Sequence, residues 1–286
     1  MAVSTSALIP RVRNQLDDNP FATSGSASSA SSVVAVTDGT DWEEGAIGEF
    51  SSDGEQWKVK SIVTNDLTCF RGWNGTTAAT HTSSETVYRD PIYGYKQISD
   101  ALTVALNRLW PYAWKTESVS LTPSATTLWY DMTATCMAII EANQIIGSSP
   151  ADLRSFGIDG KPFAFRRNLP AALVASGVGM RFAAGLWHAT NTVNVTAAAR
   201  ITGTSDIEDS TTLPVGDALV TGALGYLVGN KQIPRVSSMA NRDEMATVSN
   251  TARLQTGVVY EQQFVQKLQM LRILHDQLYP IAREWH

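Results

Sequence analysis

The residue types that could carry out catalysis are widely scattered in this sequence. The four histidines are His81, His188, His275 and His286, and none belongs to an HExxH or HxH motif. A catalytic centre needs a nucleophile, a base and a stabilising group, or metal ligands at short spacing. There is no GxSxG, Walker A or complete GxGxxG motif. We therefore expect no enzymatic activity, no metal and no cofactor, and we expect His275 to face solvent on the last helix.

Two short motifs carry weaker signals. Asp206, Glu208 and Asp209 have a spacing that could hold calcium, but the other oxygen ligands and the glycine of a calcium loop are absent, which favours a solvated turn. Gly177-Val178-Gly179 is a fragment of a nucleotide-binding motif inside a β region, and predicts a strand that another chain approaches closely. A carboxylate pair of the glycosidase type has no spacing signature and stays open.

The cysteines and tryptophans favour structural roles. Cys69 and Cys136 are isolated, which favours half-buried strand thiols over a zinc site or a disulfide framework. Aromatic side chains can bind sugars or single-stranded nucleic acid. The eight tryptophans are instead spread over several elements, so we expect core packing and interface anchoring. They include Trp42, Trp57, Trp73, Trp110, Trp114 and Trp285.

The composition favours self-association. Charged residues make up 17% of the chain and hydrophobic residues 43%, whereas charged residues are about a quarter of an ordinary soluble domain. Low charge of this kind is typical of surfaces that subunits cover. The net charge of −5 and the absence of a dense basic run argue against sequence-specific DNA binding. The chain has neither a ~20-residue apolar span nor a signal peptide, so we expect it to act in a cytoplasm.

Periodicity predicts helical segments that alternate with β regions. Apolar residues at helical spacing predict helices at about 6–18, 95–109, 215–228 and 249–279. Pro10 is expected in the first turn of the first helix. The Ser-rich run at 23–29 reads as a flexible linker. In the last helix the predicted apolar stripe consists of Val258, Val265, Leu268, Leu271 and Leu278.

Alternating patterns and turn dipeptides predict two β regions. About five short strands are expected within 32–89, as a small barrel or curled sheet. Six or more strands are expected within 117–204, as a sandwich. The predicted fold class is α+β: a discontinuous helical bundle (1–31, 91–115 and 206–286) with two inserted β modules, a barrel-like one at 32–90 and a sandwich at 116–205.

Two stretches resemble proteins of tailed-phage virions. Asp38-Gly39-Thr40, Asp53-Gly54-Glu55 and the run from Leu67 to His81 resemble a small β module that recurs in such virions. The run from Leu213 to Tyr226, followed by a long amphipathic helix, resembles the small-residue helix of phage head–tail adaptors. The chain departs from simple adaptors, which are almost wholly helical, by its two β modules.

The resemblance implies a structural role in the virion neck. Such a protein forms a ring, commonly dodecameric, between portal and tail, and lets double-stranded DNA pass without sequence-specific binding. The implied partners are further copies of the chain, the portal protein and a tail or neck protein, with no membrane. The alternatives are another neck or tail-tube protein, or a tail-associated glycan-binding protein.

The expected contact residues fall into two groups. Portal docking is expected at the C-terminal end, through Tyr279, Ile281, Arg283, Trp285 and His286. Packing within the bundle or ring is expected at Leu219, Gly222, Tyr226, Val265, Leu268 and Leu271.

Overall fold

The computed structural model describes residues 2–18, 20–124, 126–145, 153–156, 163–182, 192–229 and 250–278. The helices within these ranges are α1 (Thr5–Gln15), α2 (Tyr95–Asn107), α3 (Val215–Gly229) and α4 (Asn250–Leu278). Several antiparallel sheets accompany them, so the predicted α+β class is confirmed. The four predicted helices are confirmed as well, although the first begins at Thr5, which places Pro10 in its second turn.

The strands alternate with the helices along the chain. They are β1 (Ala2–Val3), β2 (Ala22–Thr23), β3 (Val33–Ala35), β4 (Ile47–Phe50), β5 (Gln56–Val63), β6 (Asp66–Phe70), β7 (Thr86–Arg89), β8 (Lys115–Leu121), β9 (Tyr130–Asp131), β10 (Cys136–Ile145), β11 (Leu153–Phe156), β12 (Phe163–Arg167), β13 (Val178–Phe182), β14 (Val193–Ala199) and β15 (Ile207–Glu208).

The chain divides into two compact units. The sheet–helix unit comprises Ser4–Ala105 and Gly216–Val265, and the two-sheet unit comprises Met1–Val3, Leu106–Val215 and Gln266–His286. The first β region therefore belongs to the same unit as α1 and most of α2 and α3, while α4 contributes residues to both units.

The sheet–helix unit contains a curled six-stranded sheet in the order β2-β7-β4-β5-β6-β3. Beyond the ends of the two edge strands, Ser24 forms a bridge with Val36 and the Gly25 N–H donates to the Ala35 carbonyl at 2.8 Å. The sheet therefore curls back on itself around Trp57, which stacks on Trp42 with ring centroids 5.0 Å apart. Alternation in β5 buries Trp57 and Val59 against this core.

The prediction of a flexible linker at 23–29 is wrong. Ser24 and Ala27 are buried, and Ala27 pairs with His81 through backbone hydrogen bonds of 3.0 and 2.8 Å. A Cβ on Gly25 would lie 3.1 Å from the Ala35 side chain. Small side chains here permit close approach of the two backbone segments, and composition does not distinguish that use from flexibility.

The two-sheet unit has the sheet orders β11-β10-β14-β8 and β12-β13-β9, together with the pair β1-β15. Both larger sheets contribute to one hydrophobic core: Ile139 and Val195 come from the first, and Phe163 and Met180 from the second. Gly179 lies where a Cβ would be 2.8 Å from the Leu169 side chain. The close approach predicted there is therefore made by side chains of the same chain.

Helices α3 and α4 pack antiparallel in the sheet–helix unit, with glycines at the contacts. A Cβ on Gly222 would lie 2.9 Å from the Phe264 ring, and one on Gly225 would lie 3.2 Å from the Glu261 nitrogen. The closest approach is at Gly257, where a Cβ would lie 2.6 Å from the Gly229 Cα. Backbone atoms cannot move aside as a flexible side chain can, so residue 257 has no room for a side chain.

We predict that Gly257→Ala destabilises the protein. In an open helix this substitution stabilises by about 1 kcal/mol, because alanine has the higher helix propensity. Here the overlap with Gly229 reverses the sign, and we expect a loss of about 1–3 kcal/mol in the free energy of unfolding. Urea denaturation measures it, with Gln255→Ala on the exposed side of α4 as control. A Gly257→Ala variant more stable than wild type would contradict the packing.

Candidate functional site

A buried ionic cluster lies in the sheet–helix unit around Glu55, which immediately precedes β5. Arg71 donates to its carboxylate twice, from Nε to Oε1 at 2.5 Å and from Nη2 to Oε2 at 2.7 Å. The backbone N–H of Ala79 donates at 2.8 Å, and His81 Nε2 lies 2.9 Å from Oε2. We call Glu55, Arg71, His81 and Glu85 the Glu55 cluster.

The other contacts of the cluster tie three chain segments together. His81 Nδ1 lies 2.9 Å from Glu85 Oε2, and the imidazole stacks on Phe50 with ring centroids 3.6 Å apart. Arg71 also donates to the carbonyls of Ser28, Ser31 and Ala79 at 3.2, 3.4 and 2.7 Å. Because each guanidinium N–H has a fixed direction, these contacts hold the segments in one arrangement.

The electrostatics of Glu55 fit a structural ion pair. Burial raises the pKa of the Glu55 carboxyl, but hydrogen bonds from Arg71, the Ala79 N–H and His81 outweigh burial and hold that pKa below its usual value. The carboxylate is therefore ionised at neutral pH. A histidine between two carboxylates is an arrangement found in acid–base sites, but here Glu55 and His81 are both buried, and a catalytic group must reach its substrate.

A second buried cluster in the same unit joins α1, β4 and the start of α2. Arg13 donates from Nη1 to Asp18 at 2.6 Å and from Nη2 to Glu49. Glu49 also accepts from Gln56 Nε2 at 2.7 Å and from the Tyr95 N–H at 3.1 Å, which lies at the N-terminus of α2. Burial raises the pKa of Glu49, and the Arg13 guanidinium opposes that rise.

A cleft of about 510 Å³ opens beside Glu49. Several polar groups that line it have partners in the protein. Asn74 Nδ2 donates to Gln56 Oε1 at 2.8 Å, and Gln97 Oε1 accepts from the Gly94 N–H at 3.0 Å. The cleft is therefore a groove where three loops meet, and hydrogen bonds between its polar side chains and the backbone hold these loops in place.

The acidic motif and the two cysteines singled out in the sequence have structural roles. Asp206 accepts hydrogen bonds from the N–H groups of Thr202 and Gly203 at 2.9 and 2.7 Å, and pairs with Lys115 at 3.1 Å, so it orders a turn. Burial raises the pKa of the Cys69 and Cys136 thiols to about 12. In the described ranges no group of three or more His, Cys, Asp or Glu side chains is placed to hold a metal ion.

The prediction of a solvent-facing His275 is wrong. The imidazole is buried in the two-sheet unit, where its ring centroid lies 4.6 Å from that of Trp114. Burial lowers its pKa to about 4, so the ring is neutral at physiological pH. Helix α4 carries apolar residues on all sides, so periodicity alone could not identify the buried side.

The outer side of α4 is exposed and has little charge. The buried side is formed by Gly257, Phe264, Leu268, Leu271 and His275, which leaves Val258, Val265 and Leu278 of the predicted stripe exposed. We call the exposed uncharged residues of this helix the α4 outer face. They are Gln255, Thr256, Val258, Val259, Gln262, Gln263, Val265, Gln266, Gln269, Met270, Ile273, Gln277 and Leu278.

The predicted contact residues divide among these surroundings. Leu219, Leu268 and Leu271 are buried, and Gly222 packs against Phe264. Tyr226 is half-buried, whereas Val265 belongs to the α4 outer face. The predicted portal-docking residues, from Tyr279 to His286, lie outside the described residues.

Sequence reasoning did not find the two buried clusters. Glu55, Arg71 and His81 stand inside the stretch that resembles a virion β module, but their separations of 16 and 26 positions carry no pairing signal. The Asp53-Gly54-Glu55 turn was the available signal, because a turn glycine there points to a fixed backbone around the acidic residues.

Comparison with known proteins identifies no family for this chain. The chain matches no protein-family model, and no curated protein matches it. In the described part of the chain, no helix is both long and apolar enough to cross a membrane.

We predict that Arg71→Met destabilises the protein strongly. It leaves the buried Glu55 carboxylate without its bidentate partner, and breaking a buried pair from one side costs about 3–5 kcal/mol. Thermal and urea unfolding measure the loss. The control is Arg272→Met on α4, whose exposed pair with Asp276 spans 3.7 Å and contributes at most about 1 kcal/mol. Equal losses in the two variants would contradict the role given to Arg71.

Proposed function

We propose that the protein is a virion structural protein of a tailed phage, without enzymatic activity, that assembles into a ring between the portal and the tail. DNA passes along the axis of this ring without sequence-specific contacts. In finer detail we propose a helical bundle, made of the helices α1 to α4, that carries a barrel-like module and a β-sandwich. The resemblance of the run from Leu213 to Tyr226 to head–tail adaptors motivates this proposal.

The α4 outer face is the observation that carries the proposal. A helix of 29 residues is about 43 Å long at 1.5 Å per residue. On its outer side, Val258, Met270 and Ile273 are 55%, 60% and 60% exposed. An exposed surface along much of such a helix that combines aliphatic and amide side chains is typical of a surface covered by a partner.

The buried charges support an assembly role from another direction. Glu55, His81 and Glu49 are buried titratable groups whose contacts are with other groups of the protein, and each is used to fix the fold. What the unit presents to solvent is surface for contacts with other subunits. Many modest contacts closed by cyclic symmetry suffice for a stable ring.

Another neck or tail-tube protein remains the alternative within the same class, because it would assemble in the same way. The test for the adaptor role therefore needs the portal as well as the ring. We place the portal contact in the segment from Tyr279 to His286, where Ile281 and Trp285 supply apolar side chains after Pro280.

We predict that lysine substitutions on the α4 outer face break the assembly. Val258→Lys with Ile273→Lys introduces two charges into a contact that excludes water, which is costly without a partner. Native mass spectrometry of the wild type should give a single closed oligomer, and the variant should give monomers with an unchanged circular dichroism spectrum. The control is Leu128→Lys, since Leu128 is 68% exposed on a loop of the two-sheet unit. An oligomer unaffected by the double substitution would contradict this use of α4.

We predict that truncation after Tyr279 abolishes binding to the portal protein of the same virion. Removal of Ile281 and Trp285 deletes the apolar anchor but leaves α4 whole, so the unfolding temperature should stay close to that of the wild type. Co-purification with the portal protein measures the effect. Trp285→Ala should weaken binding by about 2 kcal/mol or more if this residue is a hot spot, and Glu284→Ala, in the same segment but outside the expected docking residues, serves as the matched control. Full portal binding by a folded truncated chain would contradict the docking role.

A further inference from the structure

One face of the curled sheet carries two cationic and two aromatic side chains, of which Lys60 and Phe70 are exposed and Lys58 and Trp73 half-buried. Lys58 lies directly opposite Phe70 in the β5–β6 pairing, and Trp73 follows three residues later with its ring centroid 6.5 Å from that of Phe70. The Lys58 ammonium lies 4.9 Å from the Trp73 ring, and the Lys60 ammonium lies 5.7 Å from the Phe70 ring. We call these four residues the cation–aromatic patch.

The patch has features that ordinary sheet surfaces lack. Phe70 is 52% exposed on it, although burying an aromatic side chain of this size is strongly favourable. Within the described part of the chain, neither Lys58 nor Lys60 has a carboxylate within 4.0 Å. The result is an apolar surface with two unneutralised positive charges.

An acidic segment with the complementary property precedes β4. Asp41, Glu43 and Glu44 are exposed, and none of their carboxylates has a cationic partner within 4.0 Å among the residues that the structure describes. We call Asp41–Glu44 the acidic segment. Its backbone is fixed at both ends: the Gly39 N–H donates to Asn65 at 3.0 Å, and the Gly45 N–H donates to the Val59 carbonyl at 2.9 Å.

No ion pair within 4.0 Å joins the carboxylates of the acidic segment to Lys58 or Lys60 of the same chain. The segment nevertheless lies beside β5, the strand that carries both lysines. The Asp41 carbonyl is held further by Arg89. The carboxylates of the acidic segment in one copy can therefore pair with the lysines of the patch in another copy.

We propose that the cation–aromatic patch of one copy binds the acidic segment of a second copy. The carboxylates of Glu43 and Glu44 then approach the ammonium groups of Lys58 and Lys60, and the exposed Phe70 ring is covered. The inference rests on the proposed ring, because it specifies one of the contacts between neighbouring subunits. When each copy offers its patch to one neighbour and its acidic segment to another, the contact is head-to-tail, which is the type that can close into a ring.

The same patch is less suited to a nucleic-acid strand. Bases stack on free aromatic faces, whereas here the chain's own ammonium groups lie over both rings. The groups that remain available are the lysine charges, which fit carboxylates. A chain with a net charge of −5 also repels a polyanion outside this patch.

Charge reversal tests the contact. The patch variant carries Lys58→Glu and Lys60→Glu, and the acidic variant carries Asp41→Lys, Glu43→Lys and Glu44→Lys. Each variant alone brings like charges together and should weaken self-association by about tenfold or more, with the remaining oligomer more sensitive to salt. An equimolar mixture of the two variants restores complementary charges at every contact and should restore the wild-type oligomer mass. Arg11→Glu with Lys96→Glu is the control, because these cations belong to the same unit and their side chains are 39% and 85% exposed.

The outcomes separate this contact from the ring itself. Wild-type oligomers that persist unchanged in both variants would overturn the contact and leave the ring intact. A wild-type chain that stays monomeric would contradict both. Loss of assembly in each variant without recovery in the mixture would show that the two surfaces do not bind each other. Unchanged mass with lost binding of a short oligothymidine strand by the patch variant would identify a nucleic acid as the occupant and overturn the proposal.

Discussion

The Glu55 carboxylate is the point on which the sheet–helix unit depends most. A buried charge is tolerable only when it is fully hydrogen-bonded, and Glu55 meets this condition by drawing on Arg71, Ala79 and His81. The segment after β6 must therefore adopt an arrangement in which Arg71, the Ala79 N–H and His81 all reach the Glu55 carboxylate. Arg71 extends the same constraint to the carbonyls of Ser28 and Ser31.

Each surface proposed for assembly depends on a contact in the interior of the protein. Trp73 stands in the segment that Glu55 fixes, so the position of the cation–aromatic patch depends on a buried ion pair several residues away. On the helical side, the contact of Gly257 with Gly229 brings α3 and α4 together along one side of α4. The opposite side is left free for the aliphatic and amide residues of its outer face. In both places, interior contacts determine what the surface can present to a neighbouring subunit.

Elements with a strong period could be predicted from the sequence, and long-range polar contacts could not. Helix α2 begins at Tyr95 as expected because its apolar residues recur at helical spacing. The α4 stripe was predicted in part. Leu268 and Leu271 are buried, but Phe264 was missed and Val258 and Leu278 are exposed, because apolar residues occur all round that helix. The run at 23–29 shows the limit of composition, since small residues serve close pairing as well as flexible linkers. Glu55 and Arg71 meet only because β5 and β6 pair, which no local pattern specifies.

The symmetry of the assembled particle tests the central claim most directly. Electron microscopy of the purified wild-type protein, imaged alone and bound to its portal, measures that symmetry. The proposed function predicts closed rings with a central opening wide enough for a DNA duplex, coaxial with the portal in the complex. Isolated monomers in both samples, or compact trimers without an opening, would contradict it.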